Sequence, residues 1–116
     1  MKLEKLSNLN KTWIFDLDGT LVVHNGYKNG GDVLLPGVKK FFETEIKDTD
    51  YVLILTARHS EYKIETEEFL LKNKIFYDKI LYDLPAGERL LFNDKKPREN
   101  MITAYCFNLE RDGGLE

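Results

Sequence analysis

Several residue types that restrict function are scarce in this chain of 116 residues. Its single cysteine, Cys106, cannot form an internal disulfide, and such cysteine usage is typical of proteins in reducing compartments. No apolar run approaches the ~20 residues that a membrane span needs. Residues 1–11 are polar and charged, unlike a signal peptide. We therefore expect a cytoplasmic protein that does not bind membranes.

An excess of basic charge is also missing. The formal net charge is -3, so electrostatics offers no reason to expect binding along a nucleic acid. A short nucleotide or a phosphorylated polynucleotide end stays compatible with this charge. The length predicts a single domain over residues 1–116, and a hydrophobic fraction of 42% is enough for a small core.

The most informative stretch that is present begins with an apolar run over residues 12–15, which predicts a buried strand. Asp16-Leu17-Asp18-Gly19-Thr20 follows it directly. Strand alternation turns Asp16 and Asp18 to one side and Leu17 to the other. Carboxylates are costly to bury without partners, and the carboxyl ends of parallel strands face the ligand crevice of open α/β sheets. This stretch is therefore the first candidate for a functional site.

The rest of the chain alternates between helical and strand patterns. Apolar residues recur at helical spacing after Pro36-Gly37 and again from Ser60 to about Asn73. Further strands are predicted over 51–55, 79–82, 89–92 and 102–108, the last including a buried Cys106. This order predicts an α/β fold, a small Rossmann-like three-layer sandwich with a mostly parallel sheet. Residues 21–35, rich in Gly and Asn, predict a loop or small hairpin that could act as a lid.

Three of the predicted strand ends carry polar groups that would gather at one edge of the sheet. The second end carries Thr56 and Arg58, and the fourth carries Asn93 and Asp94. Asp16 and Asp94 could hold Mg²⁺ together with waters and a phosphate oxygen. Asp16 could attack phosphorus, and Asp18 could protonate the leaving oxygen and then activate water. The Thr56 hydroxyl and nearby backbone N–H groups could hold phosphate.

The order of these motifs resembles the haloacid dehalogenase (HAD) superfamily, from Trp13 to about Asn108. The resemblance implies a Mg²⁺-dependent phosphatase fold with Asp16 as nucleophile and Asp18 as general acid/base. It implies phosphate binding at Thr56, with the neighbouring Ala57 and Arg58. It also implies that Asp16, Asp94 and the backbone carbonyl of Asp18 ligate the metal.

The cation that this family places beside the phosphate is not marked by a clear motif here. The candidates are Lys79, Arg89, Lys95 and Lys96, and we favour Lys95 or Lys96 because the loop after a strand end can reach the site. Arg89 begins its predicted strand and is expected at the opposite edge. The Arg58 guanidinium could donate two hydrogen bonds to a phosphate or a carboxylate, or Arg58 could be a solvated charge at the start of a helix. His24 and His59 are each more simply explained as non-catalytic.

These observations favour a small, nearly capless phosphomonoester hydrolase that uses an aspartyl-phosphate intermediate. The chain is similar to short HAD phosphatases of bacterial surface-polysaccharide pathways, which implies a phosphorylated sugar or related metabolite as substrate. One alternative is a polynucleotide 3′-phosphatase-like HAD enzyme. Another, in a different class, is a receiver-like signalling module phosphorylated at Asp83. An open site would also suit a homo-oligomer in which a neighbouring copy covers it.

Overall fold

The computed structural model describes Leu3, residues 5–97 and residues 101–116. These residues form a small α/β fold with a three-stranded parallel open sheet and two α-helices. The order along the chain is β1 (Thr12–Asp16), α1 (Val38–Thr44), β2 (Tyr51–Leu55), α2 (Lys63–Lys72) and β3 (Lys79–Leu81), with 3-10 turns at Gly26–Lys28 and Ser60–Tyr62. The strands lie in the order β1-β2-β3, which confirms the predicted Rossmann-like core.

One face of the sheet builds the core. The parallel register pairs Trp13 with Val52 and Phe15 with Ile54. Since alternate residues of a strand share a face, these four side chains lie together, and Phe15, Val52 and Ile54 are buried. Phe41 of α1 packs edge-on against Phe15, with ring centroids 6.0 Å apart. Aromatic burial therefore anchors the first crossover helix beneath the carboxyl end of β1.

The opposite face of the sheet is only partly covered. Ile14 is 48% exposed and Tyr51 is 46% exposed, while Leu53 and Leu55 are half-buried. The third layer of the predicted sandwich is thus incomplete over β1 among the described residues. The continuous apolar run of β2 predicts burial on both faces, and the structure buries only one.

Both predicted helices form: α1 begins at Val38, directly after Pro36-Gly37, whereas α2 begins at Lys63, three residues after the predicted start at Ser60. Gly37, with a positive φ of 77°, precedes α1. A 3-10 turn over Ser60–Tyr62 precedes α2, so Tyr62 rather than Ser60 occupies its N-cap position, without a side-chain capping hydrogen bond. Thr66 and Leu70 of α2 are buried, as the helical spacing predicts. No helix within the described residues is long and apolar enough to cross a membrane.

The prediction of two strands late in the chain, over residues 89–92 and 102–108, is wrong. Between Leu81 and the last residue, the described positions contain no helix and no strand longer than an isolated bridge between Lys96 and Met101. Leu90 is 78% exposed and Phe92 is 88% exposed, and Cys106 is exposed as well. β propensity reflects how well a residue fits a pleated surface, so it produces a strand only where a neighbouring strand or helix covers that surface.

Candidate active site

A tight turn after β1 presents the two aspartates of the central motif. Leu17 is buried, and its carbonyl oxygen accepts hydrogen bonds from the backbone N–H groups of Leu21 (2.9 Å) and Val22 (3.1 Å). Asp16 and Asp18, on either side of Leu17, are both half-buried. The predicted alternation is therefore correct: the leucine enters the core while both carboxylates remain at the carboxyl edge of the sheet.

The Asp16 carboxylate is placed to react with a molecule from solvent. Its side chain is 39% exposed. The Thr20 hydroxyl donates to Asp16 Oδ2 at 3.3 Å, and Arg89 Nη1 donates to Asp16 Oδ1 at 2.9 Å. A half-exposed carboxylate beside a fixed cation can meet an anionic substrate without the full repulsion between two negative charges. These contacts suit a nucleophile.

The structure places beside Asp16 a cation other than the two lysines that the sequence favoured. We expected Lys95 or Lys96 at the site and Arg89 at the opposite edge of the sheet. The structure instead pairs Arg89 with Asp16, and neither lysine side chain makes a hydrogen bond or salt bridge among the described residues. The physical reason is that residues 89–92 form no strand, so Arg89 is free to reach the carboxyl end of β1. The paired acidic motif and an arginine in a polar turn are the only signals that could have suggested it.

The Asp18 carboxylate is held by an arginine inside the fold. Arg58 Nη2 donates to Asp18 Oδ1 at 2.7 Å, and the Arg58 side chain is fully buried. Asp18 itself keeps 17% of its side chain exposed. Arg58 was expected either to bind substrate phosphate or to be a solvated charge. Because the Arg58 side chain is buried, the interpretation as a solvated charge is wrong. Its guanidinium N–H groups donate to carboxylates of the protein rather than pointing toward solvent.

Arg58 also joins the loop over residues 21–35 to the rest of the site. Asp32 of that loop accepts from Arg58 Nη1 at 2.9 Å and from Nη2 at 3.0 Å. The Tyr27 ring lies 3.9 Å from the guanidinium carbon, and Thr66 Oγ1 of α2 accepts from Nη1 at 2.8 Å. Burial alone would lower the pKa of Arg58, but hydrogen bonds to Asp32 and Asp18 raise it. Arg58 therefore stays charged and ties the predicted lid to Asp18.

Thr56 lies between the strand end and this network. It is 1% exposed, and its hydroxyl donates to Asp18 Oδ2 at 3.4 Å and accepts from the Arg58 backbone N–H at 2.9 Å. Ala57 is exposed beside it. Thr56 thus supports the turn at the end of β2, and phosphate binding by Thr56 and the Ala57 backbone stays a prediction.

The two histidines contact different residues. His59 Nδ1 is 3.1 Å from Asp83 Oδ1, which also accepts the Ser60 backbone N–H at 3.1 Å. Hydrogen bonds from the Ser60 side chain, from His59 and from the Ser60 backbone N–H lower the pKa of Asp83. His24 lies in the loop beside Gly19. His59 is therefore engaged outside the pair of aspartates, as the non-catalytic interpretation predicts.

The residues expected to complete a metal site are not gathered around Asp16. In the described part of the chain, no group of three or more His, Cys, Asp or Glu side chains is arranged to hold a metal ion. Asp94 is exposed, and its backbone carbonyl accepts the Thr103 hydroxyl. The side chains of Asp16, Asp18 and Asp94 therefore do not form such a group, and a metal site made of the Asp16 and Asp94 carboxylates with the backbone carbonyl of Asp18 stays a prediction.

Comparisons with known proteins add one relationship. No family model matches the chain, and no curated protein matches it. A chain in a structure of the Pnkp1/Rnl/Hen1 RNA repair complex is similar, with 29% identity and a TM-score of 0.54, over 77% of this chain and 30% of that one. A second structure of the Pnkp1/Rnl/Hen1 complex gives 31% identity and a TM-score of 0.55, over 76% of this chain and 33% of the other. This chain therefore spans about a third of the length of each chain it matches.

Proposed function

We propose that the chain is a phosphomonoester hydrolase of the HAD type that removes a terminal 3′-phosphate from a polynucleotide. The observation that carries this proposal is the pair formed by Asp16, half-exposed beside Arg89, and Asp18, held by the buried Arg58. The similarity to chains of RNA repair complexes supports a polynucleotide end over the phosphorylated sugar that the sequence alone favoured.

The proposed chemistry divides one substitution at phosphorus into two steps. Asp16 attacks the phosphorus atom, and the bond from phosphorus to the 3′-oxygen breaks while Asp18, which enters this step protonated, donates its proton to that oxygen. Water then attacks the aspartyl-phosphate, with Asp18 accepting its proton, and Asp16 is regenerated as inorganic phosphate leaves. Arg89 stabilises the negative charge on the phosphoryl oxygens during both steps.

Mg²⁺ is part of this proposal. Magnesium is typically held by one or two protein carboxylates together with substrate phosphate oxygens, and the half-exposed carboxylate of Asp16 offers one such ligand. The resemblance adds the backbone carbonyl of Asp18 and the carboxylate of Asp94. When bound, the ion would offset the repulsion between carboxylate and phosphate.

The test is phosphate release from a 3′-phosphorylated oligonucleotide, a 5′-phosphorylated oligonucleotide and a set of sugar phosphates. We expect turnover of the 3′-phosphorylated oligonucleotide with Mg²⁺, no turnover with chelator, and a loss of at least about 1,000-fold in Asp16→Asn. Asp48→Asn, an exposed carboxylate in the turn before β2, serves as the matched control and should behave as wild type. Preferred turnover of a sugar phosphate would overturn the substrate class but not the reaction. Full activity in Asp16→Asn would overturn the mechanism.

A further inference from the structure

The end of the chain folds back onto the turn that carries the two aspartates. The backbone N–H of Asp112 donates to the Gly19 carbonyl at 2.9 Å, and the Asp112 carboxylate accepts the His24 backbone N–H at 2.8 Å. Three residues later, Leu115 is buried, and its N–H donates to the Pro36 carbonyl at 2.9 Å. Residues 111–115 are thus fixed at both ends against elements of the site.

This arrangement places Arg111 directly beside Gly19. A Cβ atom built on Gly19 would lie 3.3 Å from Arg111 Cγ and 4.0 Å from Arg111 Nε, with His24 Cβ at 3.9 Å on the same glycine. Arg111 is exposed and forms no salt bridge with any described residue. An exposed guanidinium that pairs with no carboxylate of the described residues therefore stands next to Gly19, outside the pairs that Arg58 and Arg89 make.

The position of Arg111 relative to the two aspartates decides which part of a substrate it can meet. In the proposed reaction, Asp16 receives the phosphoryl group, and Asp18 protonates the oxygen that departs. The departing group is the polynucleotide, so it leaves on the Asp18 side. Arg111 contacts Gly19, the residue directly after Asp18, whereas Arg89 contacts Asp16.

We propose that Arg111 binds the phosphodiester adjacent to the 3′-terminal nucleotide and so makes the enzyme prefer polynucleotides over mononucleotides. This inference rests on the proposed function. It adds the adjacent phosphodiester as a second anion that the site recognises, besides the terminal 3′-phosphate. Arginine suits the role, because its planar fork donates to two phosphate oxygens at once and keeps its charge. A nucleoside 3′-monophosphate has no such diester and cannot use the contact.

The discriminating measurement compares kcat/KM for thymidine 3′-monophosphate and for a 3′-phosphorylated thymidine hexamer. We expect Arg111→Gln to reduce the ratio of hexamer to mononucleotide turnover about tenfold, the scale of one charged hydrogen-bonded contact. The slope of log kcat/KM against log salt for the hexamer should also fall by about 0.7, as for one lost contact to a single strand. Arg111→Lys should restore part of the ratio, and Lys39→Gln on α1, an exposed charge elsewhere, should leave it unchanged.

A second arm separates this inference from the reaction itself. Fluorescence anisotropy of a labelled 3′-phosphorylated hexamer on Asp16→Asn protein measures binding without turnover. We expect the double variant Asp16→Asn/Arg111→Gln to bind about tenfold more weakly, with an unchanged melting temperature. Equal loss on both substrates, or unchanged hexamer binding, would overturn the role of Arg111 while leaving the phosphatase intact. Absence of phosphate release from both substrates in the wild type, with hexamer binding that depends on Arg111, would overturn the reaction and leave the anion subsite standing.

Discussion

At the scale of single residues, three arginines lie at or near the candidate site, each in a different environment. Arg58 is buried and bound to two carboxylates, Arg89 is half-exposed on Asp16, and Arg111 is exposed beside Gly19. The same side chain is used in three environments because its charge persists under burial and its donors form a rigid fork. Their different burial predicts different consequences of mutation.

Arg89→Gln should reduce catalysis without unfolding the protein. The arginine is 40% exposed and touches Asp16, so under the proposed mechanism the variant loses charge stabilisation at phosphorus rather than packing. We expect kcat/KM for the 3′-phosphorylated oligonucleotide to fall by about 100-fold, which is the usual effect of removing one preorganised donor. Lys95→Gln is the matched control and should change the rate less than about twofold. A larger loss in Lys95→Gln would return the role of the site cation to that lysine.

Arg58→Ala should primarily destabilise the fold. It leaves the carboxylates of Asp18 and Asp32 without their shared cation, and breaking a buried ion pair by removing one partner typically costs about 3–5 kcal/mol in the free energy of unfolding. Urea denaturation monitored by tryptophan fluorescence measures this change. The neighbouring His59→Ala, whose side chain is 72% exposed, should cost less than about 0.5 kcal/mol. Equal effects of the two variants would contradict the buried network.

At the scale of elements, the tail over residues 111–115 behaves as a strap across the start of α1 and the turn after β1. Gly114 has a φ of +79°, and a Cβ atom there would collide with the Pro36 carbonyl oxygen. The backbone of the tail approaches the loop closely because this position has no side chain.

Gly114→Ala should therefore displace the tail and lower the free energy of unfolding by about 1–3 kcal/mol, from strain at positive φ together with the collision. Thermal unfolding followed by circular dichroism checks this expectation. Gly87→Ala is the control, because a Cβ there meets nothing within 4 Å and its φ is not in the positive region. If both alanine variants have the melting temperature of the wild type, the tail does not contribute to stability.

At the scale of the whole molecule, the fold is elongated, with extents of 50 × 29 × 25 Å and a radius of gyration of 14.9 Å, against about 13 Å for a compact chain of this length. The apolar side chains of Leu90, Leu91 and Phe92 are mostly exposed. The compact part holds the apolar core, and among the described residues no buried side-chain nitrogen or oxygen lacks a hydrogen-bond partner, so its polar junctions are well satisfied.

Asp50 is one such junction, and it predicts how the stability of the molecule depends on pH. Burial would raise the pKa of Asp50, but hydrogen bonds from the backbone N–H of Lys47, from Trp13 Nε1 and from the backbone N–H of Lys11 lower it below 3.8. A carboxylate with a lowered folded-state pKa contributes stability that is complete above the unfolded-state pKa and is lost as the pH falls through the folded-state value.

Asp50→Asn should therefore lower the free energy of unfolding at pH 7, and the difference from wild type should shrink as the pH falls below about 4. Urea denaturation between pH 2.5 and 7 measures both quantities. Asp48→Asn, an exposed neighbour in the same turn, should give a difference that stays near zero across this range. A gap between Asp50→Asn and wild type that does not vary with pH would contradict the lowered pKa.

The sequence by itself determined the local features of this protein. Apolar runs predict β1, β2 and β3 because a buried strand needs them, helical spacing predicts α1 and α2, and the Asp16-Leu17-Asp18 alternation places both carboxylates at one edge of the sheet. These predictions depend on residues close together in the chain.

Only the tertiary structure decided which distant residues meet. It placed Arg89 on Asp16, 73 positions away, and turned Arg58 inward onto Asp18 and Asp32. It left residues 89–92 without a partner strand, and it brought Arg111 beside Gly19. The physical reason is that the sequence pattern around an arginine does not show which carboxylate its long, flexible side chain will reach. That partner depends on which carboxylates the folded loops and the buried core leave without another cation.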